Sequence, residues 1–254
     1  MRKILIFCAV IFLTLTPIVH AQFMADLETG LNLSGYNDVR IPGDTGSPFS
    51  LQKDIGSSAS LFFRAKFSYT FAKQHTVSVL LAPFTKIYKG ELKQKVIFMG
   101  KTFSKDYDTK GKYKFNSWRI SYRWEFLNSK HFTIGLGLTG KIRDAKITLT
   151  GKDATGGLPA VYVEASKSNV GFVPLINFLF AWKITPCMDL RIEGDALAAP
   201  QGRAEDIFFG WTGCISDKVR IKLGYRFLEG GADNNAVYNF ALFHYIVFGL
   251  SFGI

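Results

Sequence analysis

Histidines that follow the N-terminal apolar run are the first candidates for acid–base chemistry. His75 and His131 lie beside short polar stretches, where solvated side chains are expected. His244, in "NFALFHYIVFGL", shares its strand face with apolar residues, which predicts an anchoring role. A hydrolase would need a serine and a carboxylate converging on it, but Ser251 has the opposite parity and no acid is near in sequence. We therefore assign no catalytic residue.

Carboxylates offer two further kinds of chemistry. Glu193 and Asp195 in "DLRIEGDAL" could form an acid–base couple, although basic residues on other segments favour salt bridges instead. Asp38 and Asp44 in "YNDVRIPGDTGSP" could contact a cation, but their spacing matches no ion-binding motif. The sequence has no P-loop and no zinc-ligand spacing. We predict neither a metal nor a cofactor.

Charged residues alternate with apolar ones in a regular way. In "VRIKLGYRF" (219–227) every second residue is apolar and the residues between include Arg220, Lys222 and Arg226. Such a strand has one apolar and one basic face, which suits either a soluble sheet or a barrel with its apolar face in lipid. In a barrel, the interior would hold a charge network made of Arg64, Lys66, Arg119, Arg123, Lys141, Arg191, Glu193, Asp195, Asp206, Lys222 and Arg226.

Period-two alternation recurs along the whole chain. It covers segments near 24–38, 59–71, 77–90, 113–126, 131–149, 168–184, 188–199, 205–215, 219–229 and 237–254. Connections between them alternate between short turns and longer polar loops, as in outer-membrane barrels. The fold predicted is all-β: a closed antiparallel transmembrane β-barrel of about ten strands, with eight or twelve as alternatives. Pro83 and Pro174 predict a bulge or break, and 95–103 could add an external hairpin.

The N-terminus and the composition indicate where the chain works. Residues 1–21 combine a basic start, an apolar run and a small-residue ending, which predicts a cleaved signal peptide before a barrel domain at 22–254. We therefore expect a cell outer membrane location in a Gram-negative envelope. The net charge of +11 favours anionic lipid and lipopolysaccharide as partners. Nucleic acid is not expected, because aromatic and basic residues fall on opposite strand faces.

Several motifs resemble those of known outer-membrane barrels. The ending "YIVFGLSFGI" is similar to terminal strands read by the outer-membrane assembly machinery, although Ile254 replaces the usual final aromatic residue. "VSVLLAPFTKIYKGEL" (77–92) and "KHFTIGLGLTGKI" (130–142) resemble the OmpW group, and OmpA-like barrels are similar in shape. The OmpW resemblance implies eight strands and passage of small, rather hydrophobic molecules.

Cys187 and Cys214 remain after signal removal, an even number in an oxidising compartment. Pairing outward from the turn "PQGR" (200–203) sets these positions opposite each other, near disulfide distance. Two free thiols are the alternative.

The function predicted is that of a barrel with a narrow, charge-lined lumen. The same register brings Glu193 and Arg226 to one height, on either side of Phe208. We expect Arg226, Lys222 and Arg191 to meet Glu193, Asp195 and Asp206, which would leave little porin-like conductance. A barrel with such a lumen would pass small solutes or serve a structural or surface-interaction role. An outer-membrane enzyme acting on lipid or peptide is the alternative, and the solute is unknown.

Overall fold

A computed structural model of the chain describes residues 22–200 and 202–253. The predicted signal peptide, Gln201 and Ile254 lie outside these residues. The strands are β1 (Gln22–Arg40), β2 (Phe49–Ser50), β3 (Ser60–Phe71), β4 (His75–Ala82), β5 (Thr85–Glu91), β6 (Val96–Phe98), β7 (Lys101–Phe103), β8 (Asp108–Asn128), β9 (Phe132–Asp153), β10 (Val161–Thr185), β11 (Met188–Ala199), β12 (Gly202–Cys214), β13 (Val219–Asn234) and β14 (Val237–Gly253). Among the described helices, none has the length and hydropathy needed to cross a membrane.

Antiparallel pairings run around the molecule as a ring of hydrogen bonds. From β8 to β14 each strand pairs with the next in sequence. On the other side, β8 pairs with β4 and β5, β4 with β3, and β3 with β1. The first strand β1 also pairs with the last, β14, from Met24–Gly253 to Arg40–Tyr238. Each predicted period-two segment therefore contributes to the ring, and β6 with β7 forms a separate hairpin.

The two prolines behave differently. Strand continuity breaks between β4 and β5 at Pro83, as predicted. The disruption predicted at Pro174 is wrong, because β10 runs through it with Pro174 opposite Gly140 of β9. On its other edge β10 pairs with β11 only from Ile176 onward. A proline is tolerated there, because its missing N–H removes no ladder bond on an edge that carries no ladder.

The outer face of the ring is apolar over a band that we call the apolar band. Its members are widely exposed: Leu61 by 78%, Leu138 by 70% and Phe172 by 71%. Aromatic residues line the end of the band next to the short turns, including Phe71, Trp124, Phe132 and Trp182. The opposite parity places charged side chains inside the ring, so the sheet is apolar outside and polar within.

Residues 41–59 and the β6–β7 hairpin form a cap over the long-loop end. Their backbones join where Ser47 N donates to Ile97 O at 3.0 Å and Met99 N donates to Ile41 O at 3.0 Å. Phe98 and Phe103 are fully buried in this cap. Leu51, also fully buried, enters the ring and packs against Gly111 of β8, where an added Cβ would lie 2.6 Å from Leu51 Cδ2. The cap therefore places apolar side chains in part of the upper interior.

The β11–β12 hairpin has the register that was predicted by pairing residues outward from its turn at 200–203. Glu193 pairs with Phe208, and Phe208 pairs with Arg226 on β13. At the short-turn end, Cys214 N donates to Cys187 O at 3.0 Å, and the two sulfur atoms are bonded.

We predict that this disulfide forms in the cell envelope and closes a loop across the hairpin. Thiol titration of the denatured, unreduced mature protein should find no free thiol. Replacing both cysteines by alanine should leave the fold intact and lower the free energy of unfolding by about 3.5 kcal/mol, the chain-entropy contribution expected for a loop of 27 residues. Two titratable thiols in the unreduced protein would show that the bond is absent in the cell.

Candidate functional site

Asp206 on β12 is the point where basic side chains from three other strands meet. Its carboxylate accepts hydrogen bonds from Arg64 of β3 at 3.0 Å, Arg119 of β8 at 2.5 Å and Arg226 of β13 at 2.8 Å. The carboxylate and all three guanidinium groups are buried. Because β3 and β8 lie across the ring from β12, these contacts span the interior.

Glu28 on β1 is the second such carboxylate. Lys222 Nζ donates to it at 2.7 Å, and Arg226 Nη2 donates to both of its oxygens, at 2.9 and 3.0 Å. Lys222 and Arg226 also lie 4.5 and 5.4 Å from the ring centre of Phe208, which is fully buried between them. The aromatic face and two carboxylates together replace the water that these cations lose.

Two carboxylates of β11 extend the contacts. Asp195 accepts from Arg119 at 2.7 Å and from Thr139 at 2.6 Å. Glu193 accepts from Lys222 at 2.6 Å and lies 3.7 Å from Lys66.

The connected groups carry balanced charge. Five cations contact five carboxylates, and we call this set the ion-pair network: Arg64, Lys66, Arg119, Lys222 and Arg226 with Asp26, Glu28, Glu193, Asp195 and Asp206. Removing one partner from such a buried set leaves an uncompensated charge, so each member depends on the others.

Three residues expected in the network lie inside the ring but have other contacts. Arg191 forms a two-pronged hydrogen bond to Asp189 of its own strand, not to Glu193 or Asp195. Arg123 pairs with Glu125 at 3.1 Å.

Lys141 is buried with its Nζ 4.8 Å from the ring centre of Phe115, and it forms no ion pair with any described carboxylate.

Sequence reasoning missed the two acidic members on β1. Asp26 and Glu28 sit two residues apart, with the exposed Leu27 between them. Residues two apart on a strand share one face, and Asp26 and Glu28 alternate with apolar residues as the basic residues of other strands do. The alternation that identified those basic residues could therefore have identified these two. Asp26 contacts Lys66 at 3.4 Å and also accepts from Ser251 of β14. With these two residues β1 carries negative charge into the network.

The histidines have neutral partners. His75 Nδ1 is 2.8 Å from Tyr122 Oη, and His244 Nδ1 is 2.5 Å from Tyr225 Oη. His131 lies beside Phe132 at a short turn. Over residues 22–200 and 202–253, no group of three or more His, Cys, Asp or Glu side chains is placed to hold a metal ion.

A cavity of about 680 Å³, the upper cavity, lies on the long-loop side of the network. Its lining is mixed, with apolar Phe115, Val173 and Phe243 beside polar Lys141 and Arg143. Both faces of β10 contribute, because Asn169 and Val173 have inward parity whereas Ser168 and Phe172 have outward parity. The cavity therefore passes around the edge of β10 that lacks a β11 ladder.

The hub position of Asp206 predicts a large effect of one substitution. Asp206→Asn should lower the free energy of unfolding by about 3–5 kcal/mol, because three buried guanidinium groups lose their shared anion. The matched control is Asp144→Asn, whose carboxylate pairs with Lys114 at 2.7 Å on the outer face. Its loss should matter far less, because solvent screens an exposed ion pair. Urea unfolding in micelles measures both. Equal losses for the two variants would contradict the role of the network.

Comparisons with known proteins extend only to the fold. No family model and no curated protein matches the chain. The outer-membrane protease OmpT of Escherichia coli is similar in structure, with a TM-score of 0.55 and 9% identity over 95% of this chain and 100% of that one.

More distant likenesses are Ail of Yersinia pestis, with a TM-score of 0.37 and 9% identity over 91% and 98% of the two chains, and TodX of Pseudomonas putida, with 0.37 and 9% over 95% and 90%. The likeness to OmpT alone confirms, at the level of the fold, the predicted place among outer-membrane barrels: this chain has the fold of an outer-membrane β-barrel.

Proposed function

We propose that the chain is a closed, ten-stranded barrel that passes small, partly apolar solutes through the upper cavity and the side wall, not along the barrel axis. The ten strands are β1, β3, β4 continued by β5, and β8 to β14. The observation that carries the proposal is the position of the ion-pair network directly below a roomy cavity of mixed polarity.

The outer face supports an outer-membrane location. An exposed apolar surface as extensive as the apolar band is unfavourable in water, whereas hydrocarbon accommodates it. Aromatic residues such as Trp124 and Trp182 mark one interface. In lipid, backbone groups must be paired within the protein, which favours closure of the ring through the long β1–β14 ladder.

The ion-pair network supports a blocked axis. About eight strands leave an interior that side chains just fill, whereas about sixteen leave a water channel. With ten strands, residues as long as Arg64 and Arg119 reach across to Asp206 and occupy the lumen. Displacing them would separate buried opposite charges, so steady flow along the axis is unfavourable.

The upper cavity supports a solute that is apolar with a polar end. Its volume of about 680 Å³ falls within the range of small-molecule sites, roughly 300–1,000 Å³. Phe115, Phe243 and Val173 would contact the apolar body of such a solute. Lys141 and Arg143 would hold an acceptor or anionic group, and Lys141 has no carboxylate partner among the described residues.

The wall between β10 and β11 supports a sideways route. Upstream of Ile176, the described ladder of β10 is with β9 alone. The opening beside Pro174 lies next to Phe172, which is 71% exposed within the apolar band. A solute in the cavity could therefore reach the hydrocarbon of the membrane without crossing the ion-pair network.

Blocked axial flow predicts very low conductance. In planar bilayers the wild-type protein should show no large, steady, porin-like current. The double variant Glu193→Gln, Asp195→Asn should raise the current in the folded fraction, because Lys222 and Arg119 lose partners. Asp144→Asn with Glu164→Gln removes the same charge from the outer face and should change nothing. A porin-like current through the wild type would contradict the proposal that the barrel axis is blocked.

Occupancy of the upper cavity predicts selective loss of binding. Ala204, which lines the cavity from β12, can be changed to tryptophan to fill it. Anilinonaphthalene sulfonate, an apolar ring system with an anionic group, should bind the wild type in calorimetric titration and bind Ala204→Trp at least about tenfold more weakly, a loss of about 1.4 kcal/mol. Ser166→Trp, on the outer face of β10, serves as the control. Equal binding by all three proteins would exclude the cavity as the site.

A further inference from the structure

Five lysines share the outer face of three neighbouring strands above the apolar band. We call them the lysine patch: Lys89 of β5, Lys110, Lys112 and Lys114 of β8, and Lys146 of β9. Lys114 is half-buried and the other four are exposed. Lys146 also lines the upper cavity, but the other four take no part in the proposed solute route. None of the five belongs to the ion-pair network.

The register sets like charges directly against each other in this patch. Lys89 pairs with Lys110, and Lys114 pairs with Lys146. Directly opposed side chains on a sheet have Cβ atoms about 4.5–5.5 Å apart, so two ammonium groups in such a pair repel each other. Two repulsive pairs on one face are unfavourable for the isolated sheet. An anion between the strands would reverse the sign of this interaction.

Carboxylates of the chain neutralise little of the patch. Lys114 pairs with Asp144 at 2.7 Å. None of the other four lysines forms an ion pair with a carboxylate in the described part of the chain. Glu91 and Asp108 pair with each other two residues further along the strands than Lys89 and Lys110, on the side away from the apolar band. Apart from the Lys114–Asp144 pair, the patch is therefore cationic and open to an external anion.

The height of the patch matches the lipid headgroups. On the same face of β8, Trp118 lies four residues below Lys114, and Ile120, which is 62% exposed, lies two residues further down. Four residues below Lys146 on β9 is Ile142, 49% exposed. At about 3.3 Å per residue, the lysines begin roughly 13 Å along the strand from the edge of the apolar band. Lysine side chains can reach back toward that edge with their ammonium groups.

We propose that the lysine patch is a binding site for the phosphate groups of lipopolysaccharide in the outer leaflet. Phosphate oxygens accept charge-assisted hydrogen bonds from ammonium groups, and a phosphate between strands relieves both like-charge pairs. Acyl chains of the same molecule would lie against Ile120 and Ile142 of the apolar band. The proposal rests on the membrane orientation in the proposed function, but not on solute passage.

The test is thermal unfolding of the refolded barrel in micelles, followed by circular dichroism. Lipopolysaccharide should raise the unfolding temperature of the wild type, because a ligand of the native state stabilises it. The triple variant Lys89→Gln, Lys112→Gln, Lys146→Gln breaks both like-charge pairs. It should unfold at the same or a higher temperature without lipid and lose most of the shift that lipopolysaccharide produces. Enzymatically dephosphorylated lipopolysaccharide should give the wild type little shift.

Two controls fix the source of the effect. The variant Lys73→Gln, Lys130→Gln, Lys218→Gln removes equal charge at the short-turn end and should keep the full shift. Inorganic phosphate at the same phosphate concentration should give none. The proposal is overturned if the patch variant keeps the shift, if the short-turn variant loses it equally, or if dephosphorylated lipid or free phosphate protects as well. These readouts need no conductance or dye binding, so failure of the proposed solute route leaves them interpretable.

Discussion

The convergence of three guanidinium groups on Asp206 is the interaction on which the rest of the structure depends. Arg64, Arg119 and Arg226 come from three separate strands, so one carboxylate ties β12 to both its neighbour and the opposite wall. A slip of one residue in any of these strands would turn its charged side chain into the apolar surroundings of the ring. Strand register is therefore specified by charge as well as by backbone pairing.

The network also explains why polar and apolar parts of the interior are segregated. Arginine and lysine lose hydration inside a narrow ring, so each needs an anion or an aromatic face. Phe208 fulfils this need for two cations at once, whereas Lys141 has only Phe115. Above this level the cap adds buried apolar side chains, Leu51 and Phe98 among them. Lys86 of β5, which is also buried, donates from Nζ to Asn32 O at 3.0 Å. The ion-pair network and the apolar cap therefore occupy different heights of the ring.

Much of this architecture is readable from the sequence, because neighbouring strands and the period of two are local properties. Counting from the β11–β12 turn placed Glu193, Phe208 and Arg226 in their observed register. Contacts across the ring are not local, which is why Asp206 was expected to meet Arg226 but its bonds to Arg64 and Arg119 were not foreseen. Arg191 binds Asp189, two residues away on its own strand. Inward parity alone does not tell which of several inward carboxylates a basic side chain will bind. The β6–β7 hairpin of the cap lies within 95–103, the segment expected to add an external hairpin. The rest of the cap, residues 41–59, has no periodicity, so its place over the ring was not predicted.

Unequal strand lengths give the rim of the ring a step. β10 has 25 residues and its neighbour β11 has 12, so the rim changes height by about 30 Å at this one seam, for strands tilted near 40°. The cap leans on the high side, where Lys101 Nζ donates to Glu164 O at 2.9 Å. If solutes pass as proposed, a bulky molecule would meet the high side first, whereas a small one would reach the upper cavity over the low side. Selection by shape would then precede any selection by charge.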